Sequence, residues 1–101
     1  MNIYKHRATV TTDGGSVGST TLNIRGGLCR QLLIRALTAP TVTIFRADIT
    51  DENGVIVRNY GYRTGELNVV DDPFPMSGAN VVNITNASQT DTFVVMLGIQ
   101  E

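Results

Sequence analysis

Chemistry needs particular side chains within reach of one another, and this sequence offers few. His6 is the one histidine. A general base needs an oriented partner and a nucleophile within hydrogen-bond reach. Nothing near His6 in sequence supplies either, so it reads as a half-buried strand residue. Cys29 is the one cysteine. It could be a nucleophile, but such a residue more commonly packs as a small hydrophobe. Asp48-Ile49-Thr50-Asp51-Glu52-Asn53-Gly54 faintly resembles a calcium loop, because a hard cation takes carboxylates around a tight glycine turn. Where an EF-hand would place its distal bidentate glutamate, Asn59 stands, so a hairpin turn with solvated acids fits better. Asp71-Asp72 could be an acid/base pair, yet adjacent residues point apart and Pro73 follows. Gly14-Gly15-Ser16-Val17-Gly18 lacks the Lys-Ser/Thr of a phosphate-binding loop and opens no helix. The aromatics Tyr4, Tyr60, Tyr62, Phe74 and Phe93 could together make a sugar-binding surface, although the chain has no tryptophan. No catalytic residue, metal site or cofactor is expected.

Charge narrows the partners. Eight basic and nine acidic residues give a net charge of −1. Nucleic-acid binders usually show a basic excess or stripe. Here the arginines are scattered and balanced by acids, so no nucleic-acid partner is expected. Low net charge also permits dense packing of copies, and a homo-oligomer is expected. A single cysteine allows no intrachain disulfide, which leaves the core or partners to hold the fold. The first residues, Met-Asn-Ile-Tyr-Lys-His-Arg, are not followed by the apolar stretch of a secretory signal. No apolar run approaches the roughly 20 residues of a membrane helix. Cytosolic synthesis with no membrane partner is therefore expected, and the acceptor patterns Asn83-Ile84-Thr85 and Asn86-Ala87-Ser88 would stay unglycosylated.

The elements that must position these residues are strands. Thr, Val and Ile make up 32 of 101 residues, and lysine occurs once. β-Branched side chains suit a pleated surface better than a helix. Runs are predicted at about 3–12, 19–25, 28–37, 41–50, 55–60, 66–70, 79–86 and 92–100. Gly26-Gly27 closes the second run in this reading. A helix over 28–37 is conceivable, but the flanking Gly-Gly and Pro40 favour a strand. Val42 and Ile44 have the wrong parity beside Phe45, Ala47 and Ile49, which a bulge or a sheet crossover near 44 would correct. Asn53-Gly54 marks a hairpin turn. Residues 61–65 read as a loop, and two prolines make 71–78 irregular. The fold class is all-β: a single antiparallel β-sandwich, jelly-roll or Ig-like, of about eight strands in one domain.

Core faces come from Tyr4/His6/Ala8/Val10, Leu22/Ile24, Phe45/Ala47/Ile49, Val82/Ile84 and Phe93/Val95/Leu97/Ile99. Leu28, Leu32, Ile34 and Ala36 share parity, interrupted by Arg30. Apolar residues remain on the opposite faces: Leu33, Leu37, Ile56, Val94 and Met96. A contiguous set of that kind marks a protein contact. These five, with Pro73, Phe74 and Met76 on a projecting loop, are the predicted interface.

The overall rhythm resembles small β-sandwich virion proteins of tailed bacteriophages. The residues that carry it are a Gly-rich turn ahead of a strand ending at Gly26-Gly27, the hairpin Phe45–Gly54, and the pair Gly78–Ser88 and Phe93–Leu97. The resemblance covers most of the chain and includes no diagnostic motif. It implies a capsid decoration or cement protein in the virion, made in the host cytoplasm, whose partner is the major capsid protein or another virion protein. It implies no enzymatic residues. A tail or neck component, or a carbohydrate- or receptor-binding module, is the alternative.

Overall fold

The computed structural model describes residues 3–13, 16–70 and 72–100. Seven strands follow in order: β1 (Ile3–Thr11), β2 (Gly18–Ala36), β3 (Ile44–Thr50), β4 (Ile56–Thr64), β5 (Glu66–Val69), β6 (Phe74–Thr85) and β7 (Thr92–Gln100). Every pairing is antiparallel. The hydrogen-bonded path runs β1-β7-β2-β6-β3-β4, with β5 also on β2.

Seven strands form from eight expected runs because 19–25 and 28–37 are one strand of 19 residues. Gly26 and Gly27 bend β2 without ending it, at φ 113° and 157°. The register against β6 jumps there, from Ile24↔Gly78 to Gly27↔Met76, so Arg25 and Gly26 stand opposite Ser77 alone. A second bulge leaves Arg30 unpaired between Cys29↔Ile99 and Gln31↔Gly98. Each extra residue flips the inward face. That is why the core side switches from Ile24 to Cys29 and back to Leu32, while Leu28 faces outward.

The bend divides β2 between two halves. Its second half pairs with β7 and β5, and its first half with β6. One half-sheet is therefore β1-β7-β2-β5 and the other β2-β6-β3-β4, sharing one strand. Phe45 of β3 meets Phe93 of β7 edge to face across the interior, with centroids 4.9 Å apart. One apolar cluster fills the space between, with Leu32, Ile34, Ile49, Ile84, Val95 and Leu97 fully buried. The sandwich is thus a single folded sheet.

Three further expectations change. Val42 and Ile44 are not re-aimed; both stay exposed, Val42 ahead of β3 and Ile44 at its first position. Residues 61–64 are not loop but the end of β4, where Gly61 and Tyr62 bulge opposite Arg46. Residues 74–78 are not irregular either. Pro75 lies within β6 opposite Leu28, and β6 gains its second partner, β3, only from Val81 onward. A proline is tolerated on such an open edge because its missing N–H breaks no ladder bond.

Candidate interaction surface

The predicted interface residues separate into three groups. Leu33, Val94 and Met96 come together on the outer face of the β1-β7-β2-β5 half. The register sets Arg7, Met96, Leu33 and Asn68 in one row and Thr9, Val94, Arg35 and Glu66 in the next. Leu33 and Met96 are half-buried neighbours. Val94 is only 8% exposed, since it is a short side chain on an interior strand between Thr9 and Arg35. Leu37 lies at the end of this face, 53% exposed, its N–H donating to the Thr92 carbonyl. The rim is polar: Arg35 pairs with Glu66 at 2.6 Å.

Ile56 is exposed as well, but it opens β4 opposite Thr50, on the outer face of the other half. It cannot join the first patch. Phe74 and Met76 are corrections. They are 4% and 3% exposed and belong to the core, because strand alternation turns both inward while Pro73 and Pro75 stay out. A projecting loop contact at 73–76 is therefore reduced to its prolines.

The five aromatics do not converge. Tyr60, Phe74 and Phe93 are buried, and the exposed Tyr4 and Tyr62 lie on β1 and β4, the two ends of the strand path. Tyr62 receives a hydrogen bond from Asn86 and stacks with Arg46, whose guanidinium is 5.4 Å from the ring centroid.

The chemistry-bearing residues are equally dispersed. Cys29 is buried, and its thiol donates to the Gln31 carbonyl at 3.4 Å. Burial pushes that thiol up to about 11, against the opposing pull of the hydrogen bond, so it stays protonated at neutral pH. Tyr60 is pushed up to about 12, first by burial, then by Cys29. The Asp51 carboxylate is occupied by its own turn, accepting from the Asn53 and Val55 N–H groups at 2.9 and 3.0 Å. Asp48 accepts from the Asn83 amide at 2.8 Å. Asp72 pairs with Arg58 at 3.0 Å, and Asp71 lies outside the described residues, as do Gly14 and Gly15. Among the described residues no cluster of three or more His, Cys, Asp or Glu could hold a metal. No helix among them is long and apolar enough to cross a membrane.

One polar centre escaped the sequence reading. Asp91 is buried just before β7. Its carboxylate accepts from the N–H groups of Thr38 (2.9 Å), Ala39 (3.2 Å) and Thr92 (2.7 Å), and from the Thr43 hydroxyl (2.7 Å). Its backbone exchanges hydrogen bonds with Thr12. The Gln89 amide donates to Thr43 in turn. Three connections are thereby fastened at one end of the sandwich. Burial alone would raise the Asp91 pKa; the Thr43 hydroxyl and the Thr38 and Ala39 donors outweigh it and hold the group below the usual carboxylate range. No local motif announces this centre, since all its donors but Thr92 lie about 50 or 80 residues away in sequence.

Of the predicted interface residues, Leu33, Val94 and Met96 are the ones brought together, which makes the Leu33–Met96 patch the candidate surface. No protein-family model matches the sequence, and no curated protein matches it.

Proposed function

We propose that this chain is a structural protein of a tailed-phage virion, a capsid decoration or cement protein that binds the assembled head in many copies. One observation carries the contact: Leu33 and Met96 sit side by side on a regular sheet face, with Val94 beside them and Leu37 at the margin. Completing the burial of such half-covered side chains contributes about 1 kcal/mol each, roughly half the value for full burial. Arg7, Arg35 and Glu66 around the patch would fix orientation more than affinity. The virion assignment rests on the strand rhythm described above. A ligand that prefers the closed shell stabilises it by mass action, so many weak contacts suffice.

Purified protein should co-sediment with expanded heads that lack it, and Leu33→Asp combined with Met96→Asp should weaken attachment while the midpoint of unfolding changes little. Binding to isolated tails instead would move the protein to a tail or neck assembly. Failure on both, with retention on a glycan column, would reject the reading.

A further inference from the structure

We propose that a groove between β1 and the first half of β2 takes an extended acidic segment of a protein partner, added as a strand to the free edge of β1. This goes beyond the virion reading and does not depend on it. Three observations converge. The first is unused backbone. Among the described residues β1 pairs only with β7, and Gly18–Ile24 of β2 pairs only with β6. In an antiparallel ladder alternate residues point their N–H and C=O away from the partner. Two such edges therefore border one opening.

The second is shape. The groove holds about 510 Å³ between Tyr4, Lys5 and His6 on one wall and Asn23 and Arg25 on the other, with Ile99 between them. One end is closed by backbone: a Cβ at Gly18 would stand 2.8 Å from the Thr11 carbonyl of β1. Near the other end β2 approaches β7, where a Cβ at Gly27 would run into the Gln100 carbonyl. Within the groove the Arg25 guanidinium lies over the Tyr4 ring, 5.6 Å from the centroid.

The third is charge. β1 and the first half of β2 contribute Lys5, Arg7 and Arg25 and no acidic residue, although the chain has nine acids in all. A second copy is a poor occupant. Antiparallel pairing of two β1 edges centred on His6 would set Lys5 of each copy against Arg7 of the other, and like charges across a strand pair are unfavourable. An acidic strand gains from the same side chains. Strand addition draws affinity from main-chain hydrogen bonds and selectivity from alternate side chains.

The test is a titration of isotope-labelled protein with a short acetylated peptide alternating Glu and Val, followed by NMR. Shift changes should be confined to Tyr4–His6 and Asn23–Gly26, and amide exchange in β1 should slow. The same peptide with Lys for Glu should bind at least about tenfold more weakly, and Lys5→Glu should narrow that preference, since Arg7 and Arg25 remain. If Lys5→Glu disturbs the fold, Lys5→Gln and the salt dependence of the wild-type titration give the same reading. Equal binding of both peptides, or no change at the groove, overturns the proposal. So does an acidic oligosaccharide that perturbs the groove when the acidic peptide does not.

Discussion

At Asp91 two opposing effects meet on one carboxylate. Burial disfavours its charge, and four donors compensate. Its folded pKa lies below the ordinary 3.8. The group therefore adds stability in full above that value, and the contribution is lost as pH falls through the depressed folded pKa. Asp91→Asn should flatten the loss of stability below about pH 4 in acid-unfolding curves. Thr43→Val leaves the carboxylate short of a donor and should cost about 1–3 kcal/mol in urea melts. Tyr60 provides the contrast. Its buried hydroxyl has no hydrogen-bond partner among the described residues. Tyr60→Phe should be neutral or slightly stabilising, because it removes a polar atom that gains nothing on folding.

Elements here are shaped by where backbone cannot accept a side chain. Gly54 and Gly65 both adopt positive φ, 79° and 76°. Around Gly54 nothing lies within 4 Å, whereas a Cβ at Gly65 would run into the Pro40 carbonyl. Gly54→Ala should then cost only the conformational penalty, about 1–2 kcal/mol. Gly65→Ala adds a backbone clash at the point where Gly65 also bonds Thr43 and Ala36, and should exceed about 3 kcal/mol. At the start of β6, Phe74→Ala should cost about 3–5 kcal/mol while Pro73→Ala stays within about 1 kcal/mol, as expected of a core residue beside an exposed one. Denaturant unfolding of the four variants checks both pairs.

Over the whole molecule, the first and last described residues are joined: Ile3 pairs with Gln100. The ladders between β1 and β7, β2 and β6, and β2 and β7 all connect distant segments. Loops of that length must close before their contacts form. Refolding should accordingly fall in the millisecond-to-second range in stopped-flow measurements, with β1–β7 amides protected late. The same topology separates two surfaces. The Leu33–Met96 patch lies on a sheet face and the groove at a sheet edge, with Arg7 bordering both, so Leu33 and Met96 can be altered while the groove lining is intact.

Local sequence was enough for the all-β class, most strand centres, the Asn53-Gly54 turn and the inward faces of β3, β6 and β7. Those features follow from side-chain alternation and turn chemistry, which act over a few neighbouring residues. The Leu33/Val94/Met96 set was legible as surplus apolar parity, but its contiguity was not. That depends on the register of β2 against β7, which the bulge at Arg30 fixes. Tertiary structure alone decided that Gly26-Gly27 bends a strand, that Pro75 rests on an open edge with Phe74 and Met76 inward, and that Asp91 ties its own connection to two others. Each of these turns on what lies across the sheet, and a one-residue shift in pairing reverses which face a side chain occupies.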